Sequence, residues 1–148
     1  MEYFIENHVH FGWYPEIILT DRQKEILRQL INNTKEVTIQ DTELVFKWPL
    51  IGYMLHELVH GVQVRIAVVG DEQWRANRRY QGILYPLDKM GDIYTPEANV
   101  RTAQELELAD GNCIKTFLTG DADALRKFKP TILITDASGV VRVAIQGI

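Results

Sequence analysis

Trp48-Pro49-Leu50-Ile51-Gly52-Tyr53-Met54-Leu55-His56-Glu57-Leu58-Val59-His60 is apolar on nearly every side until its last five residues. Such a segment predicts a buried helix. Pro49 suits the first helical turn, where its missing N–H costs nothing. The apolar run continues through residues 61–69, and Gly70-Asp71 predicts the stop. His, Glu, Gln and Arg interrupt it too often for a membrane span. Residues four apart on a helix share a face, so His56 and His60 are expected to reach one zinc ion, for which neutral imidazole is a good ligand. Zinc lowers the pKa of a bound water toward about 7, and the carboxylate of Glu57 stands where it could take the proton. Two histidines and a glutamate on a buried helix need partners, and a metal supplies one.

A catalytic zinc of this type takes three protein ligands plus water. No histidine follows His60, so the third ligand is expected from a downstream carboxylate or from His8 or His10 upstream. In Thr102-Ala103-Gln104-Glu105-Leu106-Glu107-Leu108-Ala109-Asp110-Gly111-Asn112-Cys113-Ile114-Lys115-Thr116-Phe117-Leu118, Ala103, Leu106, Cys113, Ile114, Phe117 and Leu118 recur at helical spacing. At about 100° per residue, Glu107 and Asp110 fall within the apolar stripe and Glu105 falls opposite. Glu107 is therefore the expected third ligand. Asp110, one turn on, is placed to orient a ligand histidine or to take the ligand's place itself.

His56-Glu57-Leu58-Val59-His60 matches the HExxH motif of zinc metallopeptidases. With Glu107, Ala109 and Asp110 on a second helix, the chain resembles the zincin peptidases whose third ligand is a glutamate, the gluzincins. The wording around the motif, with Gln63 shortly after, is similar to small intracellular or phage-associated metallopeptidases. Glu105-Leu106-Glu107-Leu108-Ala109-Asp110 resembles the Glu-x-x-Ala-Asp type of second helix in CAAX-type and antirepressor-cleaving peptidases. There the ligand glutamate stands three and four residues before the Ala-Asp pair. Here Glu107 stands three before Asp110 and Glu105 five before it, so Glu105 stays open as an alternative. The resemblance covers about a quarter of the chain. It implies a two-helix zinc site beneath a small sheet, with a peptide or protein substrate running along the sheet edge.

Composition predicts one domain over residues 1–148. That length can bury a sizeable core, and 46% apolar with 24% charged residues fits a globular protein. The net charge of −4 argues against general nucleic-acid binding. A lone cysteine, Cys113, excludes an intrachain disulfide and fits a reducing compartment. Met1-Glu2-Tyr3-Phe4-Ile5-Glu6 lacks the basic and apolar pattern of a secretion signal. A cytoplasmic protein without membrane contact is expected.

Outside the two metal helices the reading is coarser. Thr20-Asp21-Arg22-Gln23 predicts a capping box opening a helix to about Asn33. Residues 36–40 and 43–48 alternate like a hairpin. Residues 72–82 and 121–127 suit helices, and residues 97–120 the second metal helix. Residues 131–135 and 140–145 flank Asp136-Ala137-Ser138-Gly139 and predict a C-terminal hairpin. The basic run Trp74-Arg75-Ala76-Asn77-Arg78-Arg79-Tyr80 reads as a solvated helix face, and His8 and His10 as a partly exposed strand face. The expected fold is thus α+β and zincin-like: a small antiparallel sheet packed on two metal-binding helices, with an extra C-terminal β-hairpin. The expected activity is zinc-dependent hydrolysis, most simply of peptide bonds. A non-catalytic binding or assembly module on the same fold is the other reading.

Overall fold

The computed structural model describes residues 20–32, 36–40, 48–89, 97–137 and 140–145. Four helices are described: α1 (Asp21–Ile31), α2 (Trp48–His60), α3 (Gln73–Asp88) and α4 (Ala122–Phe128). The strands are β1 (Glu36–Gln40), β2 (Arg65–Gly70), β3 (Ala98–Arg101), β4 (Glu105–Leu108), β5 (Cys113–Leu118), β6 (Ile132–Ala137) and β7 (Val140–Ile145). They form one mixed sheet in the order β1-β7-β6-β2-β5-β4-β3. Central β2 runs parallel to both β5 and β6, and the other pairs are antiparallel.

Alternation along the strands sorts the side chains into two layers. Ile66, Val68, Leu106, Leu108, Ile114, Ile132, Ile134, Val141 and Val143 share one core with α1, α2 and α3. Ala67, Val69, Cys113 and Phe117 face the other way, where Phe128 and Leu125 of α4 cover them. The molecule is therefore a three-layer α/β sheet with helices on both faces.

This overturns the expected small antiparallel sheet on two metal-binding helices. The first metal helix is shorter than expected: α2 ends at His60, and residues 65–70 form β2 rather than a further helical turn. The β-branched run Ile66, Val68 and Val69 favours a strand, and Gln63 (φ 55°) turns the chain into it in the left-handed region. The second metal helix does not exist. Residues 98–118 form β3, β4 and β5, which extend the sheet on one side. The hairpin of β6 and β7 lies on the other side of β2 and pairs β7 with β1. The expected partner of β1 in a local hairpin, residues 43–48, falls largely outside the described residues.

Local signals account for several elements. Thr20 Oγ1 accepts the Gln23 N–H and Gln23 Oε1 accepts the Thr20 N–H, so α1 opens on the full capping box, a device that contributes about 1 kcal/mol. Gly70 ends β2 where a Cβ would stand 2.6 Å from the Glu72 carbonyl oxygen and 2.7 Å from the Ala76 nitrogen. Both are backbone atoms, so the tight turn into α3 requires glycine. Buried Arg79 then donates to Asp136, which is fully buried at the end of β6, at 2.8 Å. This pair fastens α3 to the sheet at a point 57 residues away in sequence. Among the described residues no helix is long and apolar enough to cross a membrane.

Candidate functional site

The polar end of α2 stands out against its core. Leu50, Ile51, Tyr53, Met54, Leu55 and Leu58 are all buried. His56 and Glu57, in the last turn, are partly exposed and His60 is exposed. The imidazoles of His56 and His60 stack one turn apart with ring centres 4.9 Å from each other and a tilt of 54°. Glu57 Oε1 stands 3.7 Å from His56 Nδ1, close enough for attraction but beyond a hydrogen bond. The Glu57 carboxylate also acts on Tyr53. Burial, with Glu57 adding, pushes the Tyr53 hydroxyl well above its ordinary range, so it stays protonated.

The turn that follows is held from a distance. Buried Asn112 donates from Nδ2 to the carbonyls of Leu58 (3.0 Å) and Gly61 (2.8 Å), and its Oδ1 accepts the Val64 N–H at 2.9 Å. A helix leaves its last carbonyls without intrahelical partners, and one side chain satisfies two of these groups here. Asn112 closes the turn between β4 and β5, so this turn and the end of α2 form one edge of the molecule, at the amino ends of the parallel strands. Exposed Val62 lies on the same edge. The carboxyl-terminal pole of a helix carries partial negative charge and favours cations, which suits a metal or a protonated imidazole.

The expected third ligand is not brought to this edge. Leu106 and Leu108 point into the core that α2 shares. Glu105 and Glu107 alternate with them and point to the opposite face of the sheet. Glu107 pairs in register with Cys113, and its charge helps burial push the Cys113 thiol up. A full sheet thickness thus separates it from His56 and His60. Glu105 faces the same wrong way. Asp110 does reach the right edge, in the turn before Asn112, where its Oδ1 accepts the Asn112 N–H at 2.9 Å. This hydrogen bond holds that turn in shape. Among the described residues no three His, Cys, Asp or Glu side chains are grouped to hold a metal. His8 and His10 lie outside the described residues.

The donor set can be tested against zinc. Two imidazoles on one tetrahedral zinc, with Zn–N near 2.0–2.1 Å, bring their ring centres to about 5 Å of each other. The observed 4.9 Å fits the pair. A three-ligand catalytic centre is not completed by the described residues of this chain.

Two features had no motif to announce them. Asn112 acts across 54 residues on Leu58, and the Arg79–Asp136 pair across 57. The run 74–80 also carries more than a solvated face. Exposed Trp74 has the guanidinium of Arg75 4.5 Å and that of Arg78 5.1 Å from its ring centre, and its indole N–H donates to Glu72. Arg75 and Arg78 are in turn paired with Asp71 and Asp136, so their charge is offset locally. No protein-family model matches the sequence, and no curated protein shows significant similarity to it.

Proposed function

We propose that this chain is a metal-binding module whose anchor is the His56–His60 pair at the end of α2. The observation that carries this reading is the 4.9 Å separation of the two rings on the last, partly exposed turn of α2. Imidazole donors suit zinc and its neighbours among the transition metals. The pole of α2 and the nearby Glu57 carboxylate both favour a cation there. Neutral imidazoles bind the metal, so binding weakens as the histidines protonate. A lone, buried Cys113 is compatible with a reducing, cytoplasmic setting.

Zinc titration by calorimetry tests this on the full chain and on His56→Ala and His60→Ala. Each substitution is expected to abolish stoichiometric binding while circular dichroism stays unchanged. Binding of equal strength in both variants overturns the reading.

Hydrolysis of a peptide or protein substrate is the second reading, favoured by the position of Glu57. Its carboxylate is partly exposed beside His56, where a general base would serve. This reading requires a third ligand from outside the described residues, for which His8 and His10 are the candidates. A protease assay on the zinc-loaded chain, with Glu57→Gln, His8→Ala and His10→Ala, decides it. Loss of cleavage in Glu57→Gln with zinc retained supports hydrolysis, and no cleavage by the zinc-loaded native chain refutes it.

A further inference from the structure

We propose that the turn between β4 and β5 sets the metal affinity of α2 through Asn112, a positioning residue for the His56–His60 pair, and that bound metal in turn orders this turn. The inference rests on the metal-binding reading above. His60 is the last residue of α2, so the 4.9 Å approach of its ring to that of His56 holds only while the final turn stays helical. The Gly61 N–H still reaches the Glu57 carbonyl at 2.8 Å. Beyond it α2 lacks the left-handed glycine that closes many helices: among the described glycines only Gly111 has a positive φ. The carbonyls of Leu58 and Gly61, on either side of His60, are taken instead by Nδ2 of Asn112 at 3.0 and 2.8 Å.

The clasp is itself fixed by the sheet. Asn112 is 2% exposed. Its carbonyl accepts the Leu108 N–H at 2.8 Å, and its own N–H donates to Asp110 Oδ1 at 2.9 Å. The next residue, Cys113, donates its N–H to the Val64 carbonyl at 3.0 Å. The amide that caps the helix is therefore anchored in strand pairing, not in α2. Without it, the carbonyls of Leu58 and Gly61 turn to water, and a helix end opened in this way frays. A site formed in only a fraction of the molecules binds with its affinity reduced by that fraction. Such coupling is reciprocal. Metal that holds His56 and His60 on one helical turn also holds the carbonyls that Asn112 binds, and so protects the β4–β5 turn. Ala109, Asp110 and Gly111 of that turn are exposed, so a change in its conformation reaches the metal pair from outside the site.

Zinc calorimetry on the full native chain and on Asn112→Ala, with Asp136→Ala as control, tests the proposal. Asp136→Ala also strips a buried polar contact, but at the opposite pole of the sheet, so it lowers stability without touching the end of α2. Asn112→Ala is expected to bind zinc about tenfold more weakly or worse, as a largely frayed site would, and Asp136→Ala to bind as the native chain does. Native affinity in Asn112→Ala, or equal weakening in both variants, overturns the coupling and leaves the metal pair standing. Amide hydrogen exchange on the native chain tests the same coupling without any substitution. Zinc should slow exchange at Val64, Gly111 and Asn112 several-fold, and leave Leu118 and Asp121 at the far pole unchanged, on the scale of local opening. No added protection at the β4–β5 turn in zinc-loaded protein overturns the proposal. No stoichiometric zinc on the native chain overturns the metal reading and the coupling together.

Discussion

The side chain of Asn112 donates to the carbonyl of Leu58 at 3.0 Å across 54 residues of sequence, binding the turn between β4 and β5 to the helix that carries the histidines. Both partners are buried. The same amide reaches Gly61 and Val64, so removing it leaves three backbone groups without their partner. Each unsatisfied buried group costs about 1–3 kcal/mol, although water entering the vacated space recovers part of it. Asn112→Ala is expected to lose about 2–4 kcal/mol on that scale, read as a lower urea midpoint with an unchanged slope. Asn112→Asp keeps the acceptor for Val64 but sets a carboxylate against two carbonyls, and should be no better. A midpoint unchanged in both variants removes Asn112 as the clasp.

The Arg79–Asp136 pair makes a different demand. Asp136→Ala leaves a guanidinium buried without its carboxylate, which costs about 3–5 kcal/mol. Replacing both by apolar residues, as in Arg79→Met with Asp136→Leu, removes the buried guanidinium and should recover part of that loss, while partly exposed Arg78, which also pairs with Asp136, still loses its carboxylate. Chemical denaturation of the single and double variants measures the coupling. Equal losses in Asp136→Ala and in the double variant contradict a pairwise role.

Glu107 and Glu105 point away from the histidines, so neither should matter to metal. Glu107→Ala and Glu105→Ala are expected to bind zinc as the native chain does, in contrast to His56→Ala and His60→Ala. Calorimetric titration of the four variants shows this directly. A large loss of affinity in Glu107→Ala contradicts the sidedness assigned to β4.

Cys113 lies 2% exposed under α4, and burial first, then Glu107 and Glu105, pushes its thiol up, against the opposing pull of Arg65. The thiolate is the reactive form. At pH 8 the folded chain is expected to react slowly with Ellman's reagent, and the chain in denaturant to react at once with one thiol per chain. Rapid reaction of the folded chain points to an open edge at β5.

Arg101 donates to both carboxylate oxygens of Asp88 at 2.8 Å, and these hydrogen bonds first hold the Asp88 carboxyl below its usual range. A lowered carboxyl value stabilises the fold above the unfolded value of about 3.9, and the contribution is lost as pH falls through the folded value. Both side chains are more than 40% exposed, so solvent screening keeps the pair to about 1 kcal/mol or less. Asp88→Asn should lower stability slightly at pH 7 and match the native chain at pH 2. A difference that persists at pH 2 cannot come from this ion pair.

The sequence by itself determined what depends on neighbours a few residues apart. The capping box of α1 is written in Thr20 and Gln23. The apolar character of α2, and the two imidazoles meeting one turn apart at its end, follow from the spacing of residues 48–60. The alternation of residues 132–145 suffices for the C-terminal hairpin, and the short α4 was legible too. The segment 105–118 shows where local reading stops. Ala103, Leu106, Cys113, Ile114, Phe117 and Leu118 fall on one helical stripe, whereas Leu108 falls opposite it and alternates with Leu106 as a strand requires. A turn signal was present in Asp110-Gly111 between the alternating Glu105-Leu106-Glu107-Leu108 and β5, and Gly111 adopts a φ of 94° there. Tertiary structure decided the rest, because the free energy that separates the two forms lies in partners elsewhere in the chain. β4 and β5 are strands because β2 offers β5 a parallel edge and α2 and α3 cover their apolar face. That choice gives the side chains a period of two, sends Glu107 to the far side of the sheet, and leaves His56 and His60 as a pair.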